Sequence, residues 1–334
     1  MSIAGTVALL LAADLYLHHR AERSAGLNRW GYRGPVAAAK QPGETRIAML
    51  GGSTVFGYGV FWDQTIPARL EQALRELEPS RLISVVNLGF NNEGVHALEP
   101  TLSDFAYLQA DIAMFYPGYN DFGGDVTPNT AVYRRDSPVF RMFGYFPIMP
   151  LVLKEKAIVL RTGGQLVAAE NAAAMGAPKP VFSPSFADRS SARAMEAAVA
   201  VSNALSAQLE RLSRQAPPPA RPSEAGCASP WVTFCDALYR AIRHGRSSGL
   251  KIVVALPPLM TGEHRARHVD QQRAMRDMLA RKFAADSLVR VVDLSEAIDL
   301  GDRHYSFDGM HLDQDGNGLI ARVLAPHLRA LIGA

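Results

Sequence analysis

Five short apolar runs punctuate the chain, at 46–51, 83–88, 112–116, 251–256 and 289–293. Each is bounded by glycine, proline or polar residues, and none alternates strictly with polar positions. That is the pattern of strands buried on both faces of a parallel sheet. Between the first two runs, Thr65-Ile-Pro-Ala-Arg-Leu-Glu-Gln-Ala-Leu-Arg-Glu-Leu77 sets its leucines at helical spacing. Pro67 suits a first helical turn, where its missing N–H removes no hydrogen bond. Similar periodicity predicts helices over 97–109, 192–214, 233–247, 269–284 and 316–331. The alternation of strands and helices predicts an α/β fold, a three-layer α/β/α sandwich on a five-stranded parallel sheet.

Two segments stand outside this alternation. Residues 122–232 separate the third and fourth runs, and no internal repeat fills them. Their first part, Tyr133 to Leu153, is aromatic and apolar with interspersed arginines, broken by proline and glycine. It reads as a lid over the active-site edge, a surface lying on lipid, or plain core packing. Residues 163–190 and 215–230 are rich in Ala, Pro, Ser and Gly, the composition of mobile linkers. At the N-terminus, the apolar run Ile3–Ala13 is interrupted by Asp14, extended by Leu15-Tyr16-Leu17 and closed by His18-His19-Arg20. It is shorter than the roughly 20 residues of a spanning helix. No Lys or Arg precedes it, so it lacks the basic start of a signal peptide. Residues 1–20 are thus expected to form an anchor or signal-like helix, or else an amphipathic helix packed on the domain. Residues 21–44 are expected to form a linker to a domain over 45–334.

Candidate chemistry lies at the ends of the apolar runs. Arg46-Ile-Ala-Met-Leu-Gly-Gly-Ser53 reads as a buried strand stopping at a tight turn that exposes a hydroxyl. A serine hydroxyl becomes a nucleophile when a base removes its proton. Far along the chain, Asp308-Gly-Met-His311 supplies a candidate base, His311, and a carboxylate to orient it, Asp308. The second run ends at Gly89 and the third at Gly118-Tyr119-Asn120-Asp121. Backbone N–H groups at Ser53 and Gly89 and the side-chain amide of Asn120 are suitable oxyanion donors. Parallel strands bring these C-terminal ends to one edge. Asp121 is expected to order its own turn through local backbone N–H groups.

Other motifs over the same residues fail. Gly52-Ser-Thr-Val-Phe-Gly57 has phosphate-loop spacing, but Tyr58-Gly59 replaces the required Lys-Ser/Thr. Val55 occupies the last glycine of the G-x-S-x-G elbow. Asp313-Gln-Asp315-Gly-Asn317-Gly318 opens like a calcium loop, yet position twelve is Leu324, so a helix capped by Asp313 or Asp315 is the better reading. His264 and His268 have helical ligand spacing without the following Glu, and solvated surface histidines are expected.

The four blocks, Ser53, Gly89, Gly118-Tyr119-Asn120-Asp121 and Asp308-Gly-Met-His311, together resemble the SGNH (GDSL-type) hydrolase superfamily, in order and over most of the chain. The resemblance implies a flavodoxin-like fold, a Ser53–His311–Asp308 triad, and an oxyanion hole from Ser53, Gly89 and Asn120. It implies a serine ester hydrolase, a carboxylesterase or carbohydrate-ester deacylase, that needs no cofactor or metal. The alternatives are an O-acyltransferase on a cell-envelope glycan and a non-catalytic carbohydrate-binding protein of the same fold. Gly51-Gly52-Ser53 stands where the family usually has Gly-Asp-Ser. Related bacterial proteins with a linker like Leu27–Gly34 are anchored, which implies the cell envelope, an inner-membrane anchor and a domain outside the cytoplasm. Membrane association through residues 1–17 and 133–153 is then expected.

Composition adds little. The 334 residues are 48% hydrophobic and carry a net charge of +3. No basic stripe interleaved with aromatics is present, so the expected partner is a small-molecule or glycan ester and no nucleic acid. Cys227 and Cys235 flank a Pro-Trp segment and can be a disulfide or two buried thiols.

Overall fold

A computed structural model describes residues 3–21, 26–123, 125–162, 185–213 and 223–332. Of the expected linkers at 163–190 and 215–230, residues 163–184 and 215–222 lie outside the described residues, and residues 186–190 open a helix. The chain forms two compact units. The smaller is built from residues 1–21, 29–31 and 134–217, and the larger from 22–28, 32–133 and 218–334.

The larger unit holds a parallel sheet of five strands: β1 (Thr45–Gly51), β2 (Ile83–Asn87), β3 (Ile112–Tyr116), β4 (Lys251–Leu256) and β5 (Val289–Asp293). Their order is β2-β1-β3-β4-β5. The register sets Ile47 against both Val85 and Ile112, and Ile112 against Lys251. β3 is buried at all five positions, which is why its sequence shows no alternation. Ile47, Met49, Met114 and Val253 share one cluster with Leu70 and Leu74 of the helix Ile66–Leu77 and with Leu324 and Leu328 of the helix Gln314–Ile332. The helices Leu98–Asp104 and Val232–Ser247 pack together, the first touching β1 and the second β4. Helices thus cover both faces of the sheet, as the α/β/α reading requires.

Local signals explain most element ends. The Thr65 hydroxyl accepts from Ala68 N–H at the start of its helix. Asp313 accepts from the N–H groups of Asp315 and Gly316, both at 2.9 Å, so Asp313 is the cap of the last helix. The helix expected over 97–109 stops at Asp104, a single 3-10 turn follows, and Gln109 turns left-handed at φ 54°. The helix expected from residue 192 begins at Phe186. Ser185 and Asp188 cap it reciprocally, the Asp188 carboxylate accepting from Ser185 N–H and the Ser185 hydroxyl from Asp188 N–H. Cys227 and Cys235 form a disulfide.

The N-terminal expectations need correction. No helix among the described residues is long and apolar enough to cross a membrane. The helix Ile3–Ala21 carries Asp14, which is buried within the smaller unit. The Asp14 carboxylate accepts from the Tyr145 hydroxyl and, at 2.6 Å, from Met149 N–H, so it caps the helix Met149–Thr162. Burial works against the charge, but bonds to His18, Tyr145 and Met149 hold the carboxyl below its ordinary range. The polar interruption is therefore a structural contact, and the membrane-span reading of residues 1–20 is not supported. The Tyr133–Leu153 segment forms a 3-10 turn, the helix Pro138–Phe143 and the start of Met149–Thr162.

The stretch expected as a linker, 21–44, is also partly built into the larger unit. Arg33 N–H donates to Asn87 O at 3.1 Å. The Arg33 guanidinium is buried, and it donates to Gly57 O and Val60 O at 3.2 and 2.5 Å. That places it behind the turn that follows Ser53.

Candidate active site

β1 and β3 are neighbours while β2 lies on the other side of β1, so chain connections leave β1 and β3 in opposite directions. Such a switch point opens a crevice at the strand C-termini. Ser53 follows β1 there and begins a four-residue helix, Ser53–Phe56. Its N–H is one of the first-turn donors that a helix leaves without an intrahelical partner, and it makes no hydrogen bond among the described residues.

Asp308 and His311 arrive from a turn before the last helix. His311 Nε2 lies 2.8 Å from Ser53 Oγ, and His311 Nδ1 lies 2.6 Å from Asp308 Oδ2. Asp308 Oδ1 accepts from the N–H groups of Met310 and His311 at 3.0 and 2.7 Å, which fixes the carboxylate. Burial opposes ionisation of Asp308, but the hydrogen bonds and charge of His311 keep its carboxyl below the ordinary range. A carboxylate facing Nδ1 retains the proton on that nitrogen and leaves the Nε2 lone pair toward the serine hydroxyl. Ser53, His311 and Asp308 are thus brought together as the sequence expects.

Asn120 follows β3 and turns its amide toward the serine turn. Asn120 Nδ2 donates to Glu93 O at 3.0 Å, which leaves its second N–H unused. A side chain at residue 52 would place its Cβ 2.3 Å from Asn120 Nδ2 and 2.9 Å from Glu93 O. The Gly-Gly-Ser departure therefore has a local cause: the amide occupies the space that a side chain at 52 would need.

Gly89 does not fit its expected role. Its N–H donates to Asn87 Oδ1 at 3.0 Å and so is already engaged. What the position requires is the missing side chain, since a Cβ would lie 2.4 Å from Phe56 N. Asn87 also donates to Val55 O at 2.9 Å, tying β2 to the serine helix. The β2-loop residues lining a cavity with Ser53 and Asn120 are Glu93, Gly94 and Val95, and the cavity measures about 10 Å³. Just before them, Asn92 adopts φ 61°. Sequence reasoning missed this part of the loop; its only signal was a second glycine, Gly94.

Asp121 acts across the site and not only within its own turn. Its buried carboxylate accepts from Val95 N–H at 3.0 and 3.2 Å, joining the β3 turn to the β2 loop. Burial pushes its carboxyl up to about 7, against opposing bonds from the backbone of Val95 and Gly118. An unfolded Asp titrates near pH 4. Between about pH 4 and pH 7 the folded protein therefore holds a proton that the unfolded chain has lost. This contribution is complete at the acid end and is lost as pH rises. Melting temperatures should fall by roughly a few degrees across that window, and Asp121→Asn should abolish that part of the slope in thermal melts at stepped pH.

The histidine pair at 264 and 268 is not a pair of surface groups. His268 is buried, and its Nδ1 lies 3.1 Å from Met260 N–H as acceptor. Burial lowers its pKa to about 4. Tyr119 and Phe122 meet its ring edge-on. His264 is exposed and stacks on Phe122.

A parallel sheet in this order carries a hydroxyl, an imidazole and a carboxylate in series at its C-terminal edge. The sequence matches the GDSL-like Lipase/Acylhydrolase family over residues 49–319, and the chain belongs to that family of ester-hydrolysing enzymes. Among solved structures it is similar to a lipase/acylhydrolase from Enterococcus faecalis, at 13% identity and TM-score 0.43, over 86% of this chain and 96% of that one. It is also similar to a mutant of an acetyl-xylooligosaccharide esterase from Geobacillus Stearmophilus, at 14% identity and TM-score 0.43, over 87% and 94%. A family 3 carbohydrate esterase from Clostridium thermocellum shows 14% identity and TM-score 0.43, over 87% and 100%. No curated protein matches the chain.

Proposed function

We propose that the protein hydrolyses esters of short carboxylic acids through a Ser53–His311–Asp308 triad. The observation that carries this reading is the unbroken series Asp308 Oδ2, His311 Nδ1, His311 Nε2, Ser53 Oγ, with spacings of 2.6 and 2.8 Å. Ser53 Oγ attacks the ester carbonyl while its proton passes to His311 Nε2. The tetrahedral oxyanion lies toward the Ser53 N–H and the second amide hydrogen of Asn120. The third donor is assigned to the β2 loop at Gly94 in place of Gly89, since Gly94 lines the cavity with Ser53 and Asn120. Collapse of the intermediate breaks the bond to the alcohol oxygen, which receives the proton from His311. Water, deprotonated by His311, then attacks the acyl-serine; the bond to Ser53 Oγ breaks, Oγ takes the proton back from His311, and the acid leaves.

The cavity beside Ser53, lined by Gly52, Gly94 and Asn120, has about 10 Å³, room for roughly one water or an oxyanion. A short acyl group is the part of the proposal that rests on the closed walls around it, Val95, Leu98 and Tyr116. A series of esters sharing one alcohol and differing in acyl length tests this. Specificity, as kcat/KM, should be highest for acetyl and fall at least about tenfold by the octanoyl ester. A rate that rises steadily with acyl length would contradict it.

A further inference from the structure

The turn after Ser53 and the turn before His311 each present an aromatic ring at the imidazole. The Tyr58 ring centroid lies 4.9 Å from that of His311. Phe307 stacks nearly parallel to the imidazole, at 5.8 Å and 13°. Tyr58 and Phe307 lie 6.4 Å apart and are tilted by 36°. Yet they stay 40% and 38% exposed. Single exposed aromatics are ordinary, but two around one imidazole leave an apolar patch beside the reacting atoms.

The backbone that carries Tyr58 is pinned, and the Phe307 ring has a close neighbour. Tyr58 N–H donates to Ser53 O at 3.0 Å. Arg33 holds Gly57 O and Val60 O on either side of Tyr58, and its guanidinium lies 4.3 Å over the Phe56 ring. Phe307 rests on the backbone of Gly59, where a Cβ would meet its ring at 2.7 Å. The backbone beneath the shelf is therefore preformed.

Chemistry says which half of an ester meets these rings. His311 must give its proton to the departing alcohol oxygen, so that oxygen passes within hydrogen-bond reach of Nε2. Groups flanking the imidazole thus line the path of the alcohol, while the acyl carbon is bound to Ser53. The geometry points to Tyr58 and Phe307 as the alcohol-side subsite, an aromatic shelf for a pyranose ring whose acyl group is being removed. A pyranose offers a flat C–H face to the electron-rich ring faces and hydroxyls at its edge to the Tyr58 hydroxyl and to water. A simple alkyl alcohol would gain much less from so wide and open a surface. This inference rests on the triad reading above and deepens it by naming the alcohol.

The test compares an acetylated methyl pyranoside with ethyl acetate, which carries the same acyl group on a small alcohol. Wild type, Tyr58→Ala, Phe307→Ala and the double variant are assayed on both. Tyr58→Leu and Phe307→Leu, which keep apolar bulk without a ring face, cover the case in which an alanine variant fails to fold. KM for the pyranoside ester should rise about tenfold or more in the double variant, and at least about threefold more than KM for ethyl acetate rises in the same protein. Equal losses of kcat on the two esters, with a displaced pH profile, would mean that the rings merely hold the imidazole and would overturn the proposal. So would unchanged KM in every folded variant, or a wild type that does not prefer the pyranoside. Labelling of Ser53 by a phosphonate separates the two levels. An unlabelled serine defeats the triad reading itself, whereas a labelled serine with no ester-dependent effect defeats only the shelf.

Discussion

Ser53→Ala is expected to lower ester hydrolysis by roughly four to six orders of magnitude with the fold retained. The Ser53 hydroxyl is bonded to His311, and its removal breaks no contact of the sheet or its helices. His311→Ala should fall to a similar level, because without a base the serine keeps its proton. The double variant should be little worse than either single one, since the two groups act as a unit. Circular dichroism and melting curves alongside the rates distinguish lost chemistry from lost folding. Residual activity within a few-fold of wild type in folded Ser53→Ala would place the nucleophile elsewhere.

Asn120→Ala is expected to reduce kcat by about 100- to 1000-fold while KM moves little. Its amide faces charge that exists only in the transition state, so its loss is felt in turnover and not in ground-state binding. Asp121→Asn offers the contrast. The new amide still presents an oxygen to Val95 N–H, so the tie between the β3 turn and the β2 loop survives, and turnover should drop much less. Asn120→Ala that raises only KM, or a folded Asp121→Asn that is the slower of the two, would remove Asn120 from the oxyanion site.

Much of this arrangement was readable from residue order alone. β3 could be placed to the residue because a strand covered on both faces must be apolar throughout, and Ile112–Tyr116 is. Ser53, Asn120, Asp308 and His311 were readable because each follows such a strand or stands in a short motif. Properties that depend on distant partners were not. Gly89 shows a glycine in the sequence, but whether a site needs its N–H or its missing side chain depends on Phe56, which packs against it. Asp121 looked like a turn residue because its acceptor role toward Val95 spans 26 positions. Asp14 looked like a flaw in an apolar anchor because its partners, Tyr145 and Met149, lie more than 130 positions away. The start of the helix from Phe186, expected only from residue 192, was hidden by its small-residue composition, although Ser185 and Asp188 spelled out its cap. Tyr58 and Phe307 passed unnoticed since neither belongs to a motif; only the fold brings both to His311.

The central claim, that His311 activates Ser53 for attack, is tested most directly by covalent labelling. The full chain is treated with a fluorophosphonate, digested, and the modified peptide located by mass spectrometry. One adduct per chain is expected, on Ser53, forming far more slowly in His311→Ala and absent in Ser53→Ala. An active enzyme that takes up no label, or carries it on another residue, would contradict the account.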